Sequence, residues 1–116
     1  MGQHALMKVV RWDKSAWSFS GEKLSKVGLF ASERFFLDLY CLEPGQSQKP
    51  HAHAGCDKVY LVAAGRGRFR VGDEERELAA GEAVMADSDE LHGIQNDSGA
   101  RLVVLTLMAP PPGKHA

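Results

Sequence analysis

Short apolar runs cut by turn residues, with no segment that sustains a helical period for three turns, predict an all-β sandwich or barrel. Three stretches carry that expectation. Residues 57–64 (Asp-Lys-Val-Tyr-Leu-Val-Ala-Ala) are the run most favourable to a strand. Gly72 and Asp73 make a two-residue hairpin turn between 66–71 and 74–79. Residues 101–108 (Arg-Leu-Val-Val-Leu-Thr-Leu-Met) read as a closing strand before a proline-rich tail.

The totals narrow the function classes. A chain of 116 residues has room for one domain with one modest core. Fourteen basic and 15 acidic residues leave a formal net charge of -1, so no global field recruits nucleic acid or an anionic membrane. Cys41 and Cys56 lack zinc-finger or Cys-x-x-Cys spacing, which argues against a disulfide scaffold and for a reducing cytoplasm. Cys41 reads as a small buried hydrophobe and Cys56 as an incidental loop thiol. No apolar run approaches a membrane span of ~20 residues, and no signal-peptide core is evident.

Taken in order, residues 1–7 read as a frayed lead-in, with His4 facing solvent, and 8–12 as a short strand. Trp12, Trp17 and Phe19 are expected to pack on a barrel or a partner subunit. Residues 27–42 suit one or two strands buried on both faces, broken near Ser32 and Glu33. Glu43-Pro44-Gly45 is a turn, and Pro50 holds Lys49 extended. The Gly72-Asp73 hairpin opposes Val71 to Glu74, Arg70 to Glu75, Phe69 to Arg76 and Arg68 to Glu77. Two of the three arginines in the stripe Arg66, Arg68, Arg70 thus face glutamates, which argues against a nucleic-acid role. Further strands are expected at 82–85 and 91–95, with turns at 80–81, 87–90 and 96–99, and 109–116 as an extended tail.

The chemistry concentrates at His51 and His53. Two histidines at i and i+2 on an extended segment point the same way, so their ring nitrogens can converge on one ion. His92, in another expected strand, is the candidate third ligand. Three neutral imidazoles suit Zn, Fe, Ni or Cu better than Mg or Ca and leave positions open for water, substrate or dioxygen. The competing reading is a set of polar residues at a barrel mouth that bind no metal.

These residues give the chain a family likeness. It resembles the cupins, small double-stranded β-helix (jelly-roll) barrels with two sequence motifs. The first runs glycine, five residues, His-x-His, three or four residues, glutamate, six residues, glycine; Gly45, His51, His53 and Gly65 fit it across 45–65. The second runs glycine, five residues, Pro-x-Gly, two residues, histidine, three residues, asparagine. Gly81, His92 and Asn96 fit it across 81–96, while Asp87 and Asp89 replace the proline and the second glycine.

The resemblance implies a single cupin domain over 1–116 and a divalent transition metal held by His51, His53 and His92. The motif's glutamate is absent. With four intervening residues its place falls to Lys58, and with three to Asp57, a candidate fourth ligand. An ammonium ~6 Å from a divalent cation, at an effective dielectric of ~20, is opposed by roughly 5 kcal/mol. Lys58 is therefore turned away, held neutral as a base, or compensated by Asp57 or a bound anion.

Cupins serve many chemistries, so the likeness leaves function open. The leading expectation is a metal-dependent enzyme of dioxygenase or isomerase type acting on a small molecule, with Lys58 and Tyr60 as candidate catalytic residues. The alternatives are a non-catalytic ligand-binding or regulatory module, and a structural dimer with a degenerate site. A homodimer is expected in any case, because Trp12, Trp17, Phe30, Phe35 and Phe36 exceed what one small barrel covers.

Overall fold

The computed structural model describes residues 6–113, so His4 and the end of the tail lie outside the described residues. Within them nine strands follow one another: β1 Ser25–Ala31, β2 Phe36–Leu42, β3 Ser47–His51, β4 Asp57–Ala64, β5 Arg66–Val71, β6 Glu74–Ala79, β7 Ala83–Ala86, β8 His92–Gln95 and β9 Leu102–Ala109. They form a five-stranded sheet in the order β1-β2-β9-β4-β7 and a four-stranded sheet in the order β3-β8-β5-β6. All the pairings are antiparallel. This is the expected jelly roll. Among the described residues no helix is long and apolar enough to cross a membrane.

Period-two alternation sorts the side chains. Tyr40 and Leu42 from β2, Tyr60 and Val62 from β4, and Leu102 and Val104 from β9 point between the sheets. There they meet Phe69, Leu78 and Ile94 of the smaller sheet. The opposite face of the large sheet carries Leu39, Cys41 and Val103, and Trp17 and Phe19 pack over them. Residues 39–42 are consequently buried on both faces, as expected, whereas β1 is only half covered. Cys56 departs from expectation: it is 3% exposed, and neither cysteine is in a disulfide.

Residues 8–12 form no strand, in contrast to the sequence reading. These residues pair with none of the nine strands, although both sheets have open edges, and a 3-10 turn at Lys14–Ala16 follows. The hairpin register is as predicted. Its ion pairs run elsewhere: Arg66 takes Glu77, Arg68 takes Asp97 at 3.0 Å, and the Arg70 Nε donates to the Gly72 carbonyl. The tail turns back far enough to bury Pro111.

Two motif positions hold the frame. Gly65 has φ +80°, and a Cβ there would collide with the Arg101 carbonyl, so only glycine fits the β4–β5 corner. Asn96 is fully buried; its Nδ2 donates to the carbonyls of Leu42 (3.1 Å) and Ala100 (2.9 Å). Its Oδ1 accepts from the amide and hydroxyl of Ser98 at 3.1 and 2.7 Å. Asn96→Ala strands those partners and is expected to cost roughly 2–3 kcal/mol in urea unfolding. Asp89, standing where the motif has glycine, takes φ 72°. Asp89→Gly relieves that conformation and should stabilise by roughly 0.5 kcal/mol; a lower denaturation midpoint would contradict this.

Candidate metal centre

The site lies at one end of the barrel, where β3 and β8 meet. His51 and His92 are direct cross-strand partners. His53 follows on the extended segment after β3, so the i, i+2 rule holds. Ring centroids are separated by 4.7 Å for His51 and His53, 4.5 Å for His51 and His92, and 5.8 Å for His53 and His92. One ligand nitrogen from each lies within 4.8 Å of the others.

Backbone geometry makes this convergence possible. The register of β3 against β8 shifts between Gln48 and His51, a bulge at Lys49 and Pro50. Pro50 lacks the amide proton that a regular ladder would need, so the irregularity leaves no donor stranded. At Gly93 the two backbones approach so closely that a Cβ would sit 2.8 Å from the Gln48 carbonyl. The 87–90 turn then clamps the His53 loop: the Gly55 amide donates to Ser88 Oγ at 2.8 Å, and the Asp89 amide to the His53 carbonyl at 3.3 Å.

The donor atoms fit a metal ion. His51 Nδ1 lies 2.8 Å from the Lys49 carbonyl and His92 Nδ1 3.0 Å from the Glu90 carbonyl. A carbonyl only accepts, so each ring carries its proton on Nδ1 and leaves Nε2 as the free lone pair. His92 is 2% exposed, and its Nε2 is buried without a hydrogen-bond partner. Such an orphaned acceptor is costly unless something fills it. Burial also holds His92 down to about 4 and lowers His53, so both are neutral at physiological pH, as ligation requires.

The strand parity of β4 decides between the two candidates for the missing glutamate. Asp57 is exposed on the outer side and is not in the histidine group, which corrects its candidacy as fourth ligand. Lys58 and Tyr60 point inward and are buried, so Lys58 is not turned away. The four-residue spacing is the one the fold uses. Tyr60 donates its hydroxyl proton to Gln48 Oε1 at 2.9 Å, and Lys58 Nζ approaches the same oxygen at 3.5 Å. Lys58 also sits 5.1 and 5.6 Å from the rings of Tyr60 and Tyr40. Burial first, then Lys26, pushes its ammonium down to about 8; Asp38 opposes this. Burial lifts the Tyr60 phenol far above its ordinary range, so it keeps its proton.

Above these groups opens a mouth cavity of about 410 Å³ whose walls include His51, His53, Lys58, Lys26, Asp38 and Gln48. Pro112 of the tail and Tyr40 also line it. The sequence reading missed Gln48, Asp38, Tyr40 and Lys26. Asp38 left a signal, being the lone acid in an apolar strand and sharing parity with Tyr40. Gln48 left none, because it stands three positions before His51 and only the bulge brings both to the site.

The cupin domain family matches residues 38–108, more than half of the chain. The chain belongs to the cupins. It is 31% identical over 85 residues to an oxalate-binding protein of Thermotoga maritima, covering 73% of this chain and 69% of that one. It is 28% identical over 82 residues to the pectin degradation protein KdgF of Dickeya dadantii, covering 71% and 74%. The crystal structure of TT1209 from Thermus thermophilus superposes with a TM-score of 0.87 at 42% identity, over 91% of this cupin and all of that chain.

Lys58 supplies a pH test. Folded, it loses its proton near 8 rather than 10.5, so between those values the native state binds fewer protons and stability rises with pH. Lys58→Met removes the burden of a buried ammonium and is expected to stabilise the metal-free protein by roughly 2 kcal/mol at pH 7. Urea melts across pH 7 to 10 should show that advantage shrinking. A gap independent of pH would mean that packing, and not charge, sets it.

Proposed function

We propose that this cupin holds a divalent transition metal, of the Zn, Fe, Ni or Cu type, on His51, His53 and His92 and acts on a small organic molecule entering through the mouth cavity. The observation that carries the reading is the orphaned Nε2 of buried His92 beside two further imidazoles. When bound, the ion supplies Lewis acidity toward a substrate oxygen or, if redox-active, reactivity with dioxygen, chemistry of isomerase or dioxygenase type.

The chain's own groups do the rest. Lys58, whose ammonium burial brings down to about 8, takes or returns a substrate proton at Nζ. Tyr60 stays protonated and fixes the Gln48 amide, which orients polar groups of the ligand. Tyr40 and Pro112 add apolar wall to the cavity.

A non-catalytic binding module is the second reading. Its support is the missing carboxylate: the donor group comprises three neutral histidines, and Asp57 lies outside. Metal analysis of untagged protein, then a substrate screen with oxygen uptake monitored, separates the two. His51→Ala should abolish stoichiometric metal and any turnover together; turnover that survives metal loss would refute the metal-dependent reading. Ligand-induced stabilisation with no product in the screen would favour the module.

We also propose that two copies associate. Leu6, Met7 and Val9 are 75% or more exposed and Trp12 is 50% exposed, while Leu61 and Met85 on the outer face of the large sheet are also open. Light scattering should give a dimer mass, and Trp12→Asp with Val9→Asp should shift it toward the monomer. A monomeric wild type would exclude pairing.

A further inference from the structure

The mouth cavity carries an unbalanced set of charges beside the histidines. Lys58 and Lys26 both line it, and Asp38 is the carboxylate that lines it with them. Lys58 is 2% exposed, yet among the described residues no carboxylate lies within ion-pairing distance of its ammonium. Its ammonium donates to the neutral Gln48 amide oxygen at 3.5 Å. Burial raises Asp38 from the ordinary carboxylate value, while Lys26 and Lys58 oppose that rise. A metal ion on three neutral imidazoles adds two further positive charges and no negative one. The chain therefore places a cation at the position where the cupin motif has an anion, inside a space open to a small molecule.

We propose that Lys58, with Lys26 beside it, forms a carboxylate-binding subsite at the three-histidine centre, and that a small organic carboxylate and the metal ion each strengthen the other's binding there. The inference rests on the metal reading above. A carboxylate has two oxygens, enough to serve a lysine and an ion at once, and its charge offsets the repulsion between them. By linkage the coupling is reciprocal: whatever factor the anion adds to metal affinity, the metal adds to anion affinity. Lys58 is then the residue that selects an anionic ligand over a neutral one of the same size. Without the anion, the same lysine holds metal affinity down.

The test uses Zn²⁺ and acetate with the full chain. Zinc affinity is measured at pH 7 by competition with a chromophoric chelator, in excess sodium acetate and in sodium chloride of matched ionic strength. Wild type should bind one zinc about tenfold more tightly in acetate. Lys58→Met should bind zinc about tenfold more tightly than wild type in chloride and show little response to acetate. Lys58→Glu should be tight in both salts. Thermal melts establish that each variant is folded; the wild-type salt comparison decides alone if neither is. One zinc bound equally in both salts overturns the subsite and leaves the metal centre standing. No stoichiometric zinc sensitive to His51→Ala in either salt overturns the metal centre and the subsite with it.

Discussion

The close passage of β3 over β8 at the barrel mouth is the constraint on which the site depends. His51 stands directly opposite His92 because Gly93 lets the Gln48 carbonyl and Pro50 approach the backbone. A side chain at 93 would push the strands apart and separate the two imidazoles. The bulge at Lys49 and Pro50 belongs to the same arrangement, since it turns Gln48 and His51 to one face although they are three residues apart. A local departure from the regular ladder thus sets both the ligand geometry and the polar group beneath it.

The wall opposite that crossing comes from β4, and its alternation leaves no choice about what faces the histidines. Lys58 and Tyr60 are inside and Asp57 is outside, so the chain answers the motif's glutamate with a cation. Burial drives that cation toward neutrality, while the phenol of Tyr60 is driven away from ionising. Two neighbours on one strand face therefore take opposite roles in proton chemistry. Gln48 ties them together through one oxygen.

The outer face of the large sheet shows a different economy. Trp17 and Phe19 close over Leu39, Cys41 and Val103, with the Arg101 guanidinium 4.2 Å above the Phe19 ring and bonded twice to Glu43. The segment before them has no such surface within its own chain, and its apolar side chains stand in water. Residues 8–12 have the composition of a strand but pair with none of the nine strands, and propensity alone therefore misread them.

Sequence by itself determined the strand order in time, the hairpin register at Gly72-Asp73 and the pairing of two near histidines with a distant third. These depend on short-range alternation, on turn chemistry and on motif spacing, all written in neighbouring residues. Which residue replaced the glutamate was legible only as two alternatives, because a one-residue shift in loop length reverses every side chain that follows. Tertiary structure decided it by fixing β4 between β9 and β7, which left Lys58 no outward direction. It also brought Asp38, Tyr40 and Lys26 to the cavity from strands that the sequence places far from the histidines. Long-range sheet pairing sets such neighbours, and no local pattern in the chain encodes them.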